Sequence, residues 1–445
     1  MRKKIPAGLL VLYAGTVLGA DPLPQDLVKG NTQFALDLYA KLGVGAGNVF
    51  FSPYSLSAAL AMTSAGARGE TLTEINTVFH FPPVGPHAGF HRLDGALGGT
   101  DRPYELNIAN RIWLRKGAAF QPEFLKTLAD DYGAGAELLD FGQAPEPSRL
   151  TINHWVSDRT KTKIPELLPE GTIDSITQTV LTNAVYFKGT WEKAFEKTDT
   201  QPTPFHGSDG TTFPVDLMRQ TSRFPYAEDE WVQALEMPYR GGDLSLVVLL
   251  PKEGKTLGDV EKRLNPGQLE TWVAGLQNHE VEVFFPKFTS RFRRNLPPDL
   301  KSLGIRRAFD PDRADFSGVR PLRPDEPIFI SHVFHEAFLQ VDEEGTEATA
   351  ATAVVMGVGA AAPSSLLFEL TVHSFILSAT ALRERFFSWG ASWGRGEALE
   401  TENQNPDTSP CPSLRRRGRK GKDRMSPPNR RQFFSSVVDT PPAFW

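Results

Sequence analysis

Apolar residues recur at helical spacing in several stretches of this chain and form strand-like runs in others. In residues 26–42 they lie on one helical stripe, made of Phe34, Ala35, Leu38, Tyr39 and Leu42. Residues 52–67 are small and apolar on every side, which predicts a buried helix capped by Ser52 or a neighbour. Residues 123–133 and 148–160 have the pattern of two further amphipathic helices.

Long uncharged runs predict β-strands at residues 177–189, 231–239, 244–252 and 281–292. An Asp-Gly turn flanked by Phe205 and Phe213 predicts a hairpin. Long strands beside amphipathic helices indicate large sheets covered by helices. The pattern therefore predicts an α+β fold.

The composition is that of a soluble globular protein, with 40% hydrophobic and 23% charged residues among 445. A net charge of −5 argues against a general affinity for nucleic acid. The single cysteine, Cys411, excludes an internal disulfide framework, and the scattered histidines do not form a zinc motif. We find no nucleophile elbow, phosphate loop, dinucleotide fingerprint or H-E-x-x-H motif. We therefore expect no cofactor, no metal and no catalytic activity.

The first residues, MRKKIPAGLLVLYAGTVLGADP, combine basic residues, an apolar run and small residues at Gly19 and Ala20. This pattern is typical of a secretory signal peptide, here residues 1–20. A membrane anchor is the alternative, but the apolar run is short for a span. We expect a secreted protein without membrane attachment after cleavage, extracellular or, in a bacterium, periplasmic.

Residues 342–363, DEEGTEATAATAVVMGVGAAAP, are small and almost uncharged after the first few positions. In an extended strand one face carries no charge; its members are Thr346, Ala348, Ala350, Thr352 and Val354. Glu347 belongs to the other face, so the segment could enter a sheet without burying an unpaired carboxylate. Gly345 permits a hinge, and no proline interrupts residues 342–362. Taken alone, the segment is interpreted equally well as a flexible linker.

Several motifs occur in a fixed order along the chain: NVFFSPYSLSAALAMTSAGARGETLTEI (48–75), INHWVSDRTKTKIPELL (152–168), TVLTNAVYFKGTWEKAF (179–195), FPKF (285–288), ADFSGV (314–319) and HEAFLQVDEEGTEATAATAVVM (335–356). Together they resemble the serpins, protease inhibitors that act by loop insertion, over a domain spanning 21–377. The resemblance implies three β-sheets, eight or nine helices and an exposed reactive loop.

The function implied by the resemblance is that of a suicide substrate, which traps a serine protease as a covalent acyl-enzyme. The cleaved loop would insert as a strand into the main sheet. We expect a monomer. The leader at residues 1–20 favours a secreted member of the family, of prokaryotic type. A non-inhibitory member acting as carrier or chaperone is the alternative, but small hinge residues argue against it.

The resemblance also implies roles for individual residues. Four would form a polar cluster that controls sheet opening: Ser52, Ser55, Asn183 and His335. Three would form the point where the loop enters the sheet: Trp191, Lys287 and Glu343. The loop hinge would comprise Glu343, Glu344, Gly345, Thr346, Glu347, Ala348, Thr349, Ala350, Ala351 and Thr352.

The resemblance also implies a reactive bond fourteen residues after Gly345, which places it between Gly359 and Ala360. Because small residues surround this bond, an elastase-like or subtilisin-like protease is the expected target. A register slip would place the cut after Val358 or Met356 instead.

The chain departs from the family after Leu377, where the expected ending is replaced by a basic, Pro-rich tail. With third bases chosen freely, residues 378–393 read one base out of frame can encode IRDSATGAILFLGRVV, which has the family's pattern. We therefore expect a frameshift near Leu377. Residues 378–445 would then be an out-of-frame disordered tail, and the product could lack two strands and activity.

Overall fold

A computed structural model describes residues 24–43, 48–97, 102–117, 120–206, 211–323, 326–346, 366–369, 375–379 and 388–392. These residues contain nine α-helices: α1 Gln25–Leu42, α2 Pro53–Ser64, α3 Gly69–Val78, α4 His87–Leu97, α5 Pro122–Tyr132, α6 Pro145–Arg159, α7 Leu257–Glu261, α8 Pro266–Ala274 and α9 Pro297–Leu303. They all lie within one compact unit, Met1–Thr401. No helix in the described ranges has the length and apolarity needed to span a membrane.

The same ranges contain fifteen strands: β1 Val49–Phe51, β2 Tyr104–Arg115, β3 Ala136–Leu139, β4 Thr179–Thr190, β5 Gln201–His206, β6 Thr212–Glu228, β7 Val232–Pro238, β8 Ser245–Pro251, β9 Gln277–Pro286, β10 Phe288–Asn295, β11 His332–Val341, β12 Gly345–Thr346, β13 Leu366–Glu369, β14 Phe375–Ala379 and β15 Ser388–Ser392. Short 3-10 helices lie at Lys197–Asp199 and Arg307–Phe309.

The strands form two hydrogen-bonded sheets. The six-stranded sheet has the order β10-β11-β12-β4-β2-β3, and the nine-stranded sheet runs β1-β15-β14-β8-β7-β6-β9-β13 with β5 on β6. The three expected sheets are joined into two because the long strand β6 pairs with β5, β9 and β7 in turn. The described helices and sheets form the predicted α+β fold.

The six-stranded sheet is covered on both faces, which puts its central strands in the interior. The main core lies on the side of α1 and α2. A smaller core lies on the side of α6, where Ile152 and Val156 pack against Trp113, Phe334 and Phe338. Because β4 and β11 are buried on both faces, any polar side chain on them needs a partner inside the protein.

The predicted helix at 52–67 is α2, in which every residue is buried. The Ser52 side chain accepts a hydrogen bond from the backbone N–H of Ser55, so Ser52 is the predicted N-cap. Pro53 follows at the first helical position, where a missing N–H removes no hydrogen bond. The N-terminus of α2 is thereby fixed directly against the sheet.

The remaining predictions have mixed outcomes. Phe205 and Phe213 are cross-strand partners, so the predicted hairpin forms. The run at 281–292 is two strands rather than one, because Lys287 leaves the ladder between β9 and β10 and its N–H binds the Asp216 carbonyl at 2.8 Å. The polar and apolar mixture of β2 concealed a central strand that the pattern did not predict.

The C-terminal strands correct the expectation of a tail without structure. Residues 388–392 form β15, which pairs with β1 and β14, and β14 in turn pairs with β8. Residues 388–392 are therefore part of the nine-stranded sheet, because backbone hydrogen bonds do not require particular side chains. The leader at 1–20 and the rest of the tail lie outside the described residues.

Candidate functional site

The top of the six-stranded sheet is parted by the first residues of the loop segment. Strands β4 and β11 run parallel and pair directly from Val180–His332 to Tyr186–Phe338. Beyond that point β12 lies between them, with Thr346 paired to Gly189 of β4 and to Val341 of β11. The hinge therefore begins as an inserted strand two residues long.

Gly345 occupies a position that other residues could not fill. A Cβ added there would lie 2.0 Å from the carbonyl oxygen of Gly189, and the backbone φ is +152°. A backbone contact this close cannot be relieved by turning a side chain. The glycine predicted as a hinge thus allows β12 to lie against β4.

Thr346 packs against two stacked aromatic residues between the parted strands. Thr346 is fully buried, and its hydroxyl forms a 2.6 Å hydrogen bond with the Tyr239 hydroxyl. The Tyr239 ring stacks on Trp191 at 4.5 Å between centroids. The Trp191 indole donates to the Asp342 carbonyl at 3.0 Å, and its backbone N–H donates to the Glu344 carbonyl. The stacked pair Trp191 and Tyr239 thus holds the turn before β12, because Trp191 donates hydrogen bonds to two of its backbone carbonyls.

Glu343 holds the predicted ion pair with Lys287. Its carboxylate lies 3.1 Å from the Lys287 amine and accepts a 3.0 Å hydrogen bond from Thr200. The Glu343 side chain is 5% exposed, whereas that of Lys287 is 42% exposed. Burial alone would raise the pKa of Glu343, but its own backbone N–H, Lys287 and Thr200 together lower it. The carboxylate is therefore stable as an ion although it is buried.

The neighbouring acids complete the turn. Asp342 accepts hydrogen bonds from the backbone N–H groups of Glu344 and Gly345, and burial raises its pKa. Glu344 is paired with Lys197 at 2.8 Å in a more exposed contact. Three consecutive acidic residues are thus separated into three different environments.

A polar cluster lies further down the same strand pair, under the centre of the sheet. The His335 Nε2 accepts from the Ser52 backbone N–H at 3.2 Å, and its Nδ1 contacts the Asn183 side-chain oxygen. The Asn183 amide donates to the Ser55 hydroxyl and to the Asn110 side-chain oxygen. Asn110 also donates to the Ser55 carbonyl at 3.0 Å. Strands β2, β4 and β11 are thereby tied to the start of α2.

His335 is neutral inside this cluster. It is fully buried, and burial lowers its pKa to about 3, with the contact to Asn183 offsetting only part of that effect. A neutral imidazole can accept from Ser52 on one nitrogen and donate to Asn183 on the other. The hydrogen bonds therefore assign the proton to Nδ1.

The structure brings together each of the two predicted groups, the four residues of the cluster and the three of the entry point. Sequence reasoning missed three residues that contact them, Asn110, Thr200 and Tyr239, and also Lys197, which pairs with Glu344 of the hinge. Asn110 is the polar residue among apolar ones on its side of β2, between Ile108 and Ile112, which was the available signal. The hinge residues Glu347 to Thr352 and the bond Gly359–Ala360 lie outside the described residues.

A family model and individual relatives both place this chain among the serpins. The family model described as Serpin (serine protease inhibitor) matches residues 29–379. Leukocyte elastase inhibitor from Bos taurus is 40% identical over 341 residues, covering 74% of this chain and 89% of that protein. Antithrombin-III from Mus musculus is 35% identical, covering 77% of this chain and 76% of that protein.

Solved structures agree with the fold. The thermophilic serpin tengpin in its native state superposes with a TM-score of 0.77 at 25% identity, over 85% of this chain and 96% of that one. Uncleaved ovalbumin superposes with a TM-score of 0.75 at 28% identity, over 82% and 99%. Thyroxine-binding globulin in complex with thyroxine gives 0.73 at 28% identity, over 82% and 98%.

Proposed function

Because this chain belongs to the serpin family, we propose that it inhibits a serine protease as a suicide substrate. The observation that carries the proposal is the strand β12 inserted between β4 and β11. A sheet that already admits Gly345 and Thr346 has a position for the residues that follow them. The buried Thr346 also agrees with the uncharged face expected of an inserting strand.

The chemistry is supplied by the protease. Its serine oxygen would attack the carbonyl carbon of the reactive bond, an ester would form, and the peptide bond would break. The new amine would leave with a proton, which frees the loop at that end. Insertion of the loop would then carry the acylated protease along the sheet before water hydrolyses the ester. The inhibitor itself needs no catalytic base, and the product is a covalent complex of one protease with one monomer.

The register of β12 defines the path of insertion. Thr346 lies opposite Gly189 on β4 and Val341 on β11. Continued antiparallel pairing would bring Thr352 opposite both Asn183 and His335, which are themselves cross-strand neighbours. Opposed residues share a face, so the Thr352 side chain would meet the polar cluster. We therefore assign the cluster the role of a latch that the loop must replace.

An elastase-like or subtilisin-like protease is the proposed target. The proposed reactive bond, Gly359–Ala360, is flanked by small residues and offers no lysine or arginine to a trypsin-like pocket. The relatives named leukocyte elastase inhibitor agree with this choice. Cleavage after Val358 or Met356 remains within the same preference.

A non-inhibitory role, as carrier or chaperone, is the second candidate. Ovalbumin and thyroxine-binding globulin superpose nearly as well as tengpin, so the fold does not separate the two functions. The small residues Ala348 to Ala351 favour inhibition, because bulky or charged residues would obstruct insertion.

The two ends of the chain carry further proposals. A frameshift near Leu377 agrees with the end of the family match at residue 379. An inactive, frameshifted product is therefore a third candidate for the chain as it stands. Export to the extracellular space or the periplasm rests on residues 1–20, and a prokaryotic source has no support among the mammalian relatives named above.

The decisive experiment is incubation with a pancreatic-type elastase, with trypsin as a control protease. The chain as given is compared with one whose end reads IRDSATGAILFLGRVV from residue 378. We expect an SDS-stable complex with elastase from the second chain, and a large rise in melting temperature once its loop is nicked. If the chain given forms the complex equally well, the frameshift is functionally silent. Complete cleavage without a complex in both chains would refute inhibition.

A further inference from the structure

A cavity of about 260 Å³ opens at the edge of the six-stranded sheet, away from the loop. It lies between α2, α4, the end of α5, strand β2 and the end of α6. Strand β3 pairs with Ile112–Arg115 of β2, and no described strand covers the earlier part of β2 on that side. The cavity therefore exists because the sheet edge is left open beside Leu106, Ile108 and Asn110.

The walls of this cavity differ in polarity. Its floor is apolar, with Met62 of α2 and Leu97 of α4 almost fully buried beside Leu106 and Ile108 of β2. Its volume corresponds to about nine groups the size of a water molecule, at roughly 30 Å³ each. That volume has room for a hydrocarbon chain of medium length.

Two guanidinium groups lie on the cavity wall. Arg111 contacts Glu137 and lies 4.3 Å from the Trp155 ring, and Arg159 lies 5.6 Å from the same ring. Among the described residues, no carboxylate forms an ion pair with Arg159. Burial lowers the pKa of Arg111, Glu137 partly offsets this, and Arg159 lowers it again. Arg159 is therefore available to pair with an anionic ligand.

Asp94 is the acidic residue of the lining. Its carboxyl accepts a hydrogen bond from the buried Tyr54 hydroxyl. Burial raises the pKa of Asp94, and the Tyr54 and His91 interactions reverse only part of the rise. Asp94 is thus engaged by Tyr54, and the two arginines are the groups of the lining that an anion would contact.

We propose that this cavity binds a single-chain anionic amphiphile, such as a medium-chain fatty acid. The carboxylate would lie against Arg111 and Arg159, since guanidinium groups pair bidentately with carboxylates. The hydrocarbon chain would cover Leu106, Ile108 and Met62. Binding of this ligand does not require insertion of the loop.

The cavity also touches the polar cluster. Asn110 lines the cavity and binds both Ser55 and Asn183. An occupant packed against Asn110 would hold it in place and so stabilise the closed pair of β4 and β11. Any effect on protease inhibition rests on the proposed function, whereas binding itself does not.

Isothermal titration calorimetry on the full chain tests the binding. Decanoate, below its micellar concentration, is compared with decanol and with decyltrimethylammonium. We expect one site for decanoate and binding of decanoate weaker by about tenfold in Arg159→Ala. Decanol should be insensitive to that variant, and Lys126→Ala, an exposed cation of α5, is the matched control. Ala134→Trp, at the rim, should abolish binding of both.

Equal affinity for decanoate and decyltrimethylammonium, or no change in Arg159→Ala, would refute the anion site. Binding that persists in Ala134→Trp would place the ligand elsewhere and refute the cavity. Amide hydrogen exchange tests the coupling: decanoate should slow exchange in residues 180–186 and 332–338. Asn110→Ala should keep binding and lose this protection. Protection that is unchanged in Asn110→Ala would refute the coupling, whatever happens with elastase.

Discussion

The top and the centre of the six-stranded sheet close the same pair of strands by different means. At the top, β12 already separates β4 from β11, and the contacts are an ion pair and an aromatic stack. At the centre, β4 and β11 pair directly, and neutral hydrogen bonds tie them to α2. At the top, Glu343 and Thr346 belong to the start of the loop segment, and their partners Lys287, Trp191 and Tyr239 are distant from it in sequence. The central ones come from four separate elements.

This difference indicates an order of events for insertion. A partly exposed ion pair contributes little to stability, whereas removing one partner from a buried network leaves several groups without hydrogen bonds. The top is therefore easily parted, as β12 illustrates, and the centre holds the sheet closed. The loop must extend from Thr346 to Thr352 before it can offer the centre a substitute hydroxyl.

The largest expected effect is at the top, where one substitution disturbs the inserted strand itself. Thr346→Arg places a charge where the native side chain is fully buried against Tyr239. An unpaired buried charge costs several kcal/mol, so we expect residue 346 to leave the sheet, insertion of the loop to slow and hydrolysis of the ester to compete. We expect the number of inhibitor molecules consumed per elastase to rise about tenfold or more.

Titration of elastase with the frame-corrected chain measures that number. Glu347→Arg is the matched control, because residue 347 falls on the opposite face of the strand, and it should behave like the wild type. Equal loss of inhibition in both variants would show that the two faces are not distinguished.

At the centre, Asn183→Ala should lower the free energy of unfolding by about 2–3 kcal/mol. The substitution leaves His335, Ser55 and Asn110 without a shared partner in the interior. Urea unfolding at pH 7 measures the change. Asn278→Ala, an exposed asparagine of β9, is the control and should change little. A loss below that of the control would mean that the cluster does not hold the sheet.

The sequence predicted the main residues of both regions, but not all of their contact partners. Small uncharged residues on one face predicted the insertion of Thr346, and the motifs brought Lys287 and Glu343 together. The partners Tyr239, just after β7, and Asn110, on β2, are distant in sequence, and their contacts depend on the sheet register. No pattern within one strand sets that register. β15 was missed for a related reason, since its pairing rests on backbone groups that every residue carries.

Acid should weaken the two regions in different pH ranges. His335 is neutral when folded, with its pKa lowered from 6.5 to about 3, so between these values the unfolded state binds more protons. The contribution of the neutral His335 to the free energy of unfolding is complete above about pH 6.5 and is lost as the pH falls. The pKa of Glu343 is lowered from 4.5, so the contribution of the top is retained until the pH falls below that value.

From pH 7 to pH 5 we expect His335 to lower the free energy of unfolding by about 2 kcal/mol. Chemical denaturation at both values, in wild type and in His335→Gln, isolates this part, because His332 and His87 also have lowered pKa values and remain in the variant. His154→Gln, an exposed histidine, is the control. An identical pH dependence in wild type and His335→Gln would contradict a neutral buried imidazole.

The smallest effect is expected from the ion pair at the top. Lys287→Met removes a side chain that is 42% exposed, so solvent screens most of its attraction to Glu343. Glu343 keeps its hydrogen bond from Thr200, which limits the penalty for leaving its carboxylate without a cation. We expect the free energy of unfolding at pH 7 to fall by about 1 kcal/mol or less, with the difference shrinking in high salt. Lys197→Met, whose partner Glu344 is more exposed, is the matched control and should have a smaller effect. If Lys287→Met were as damaging as Asn183→Ala, the top would hold the sheet as firmly as the centre, and the order of events inferred from the two regions would be wrong.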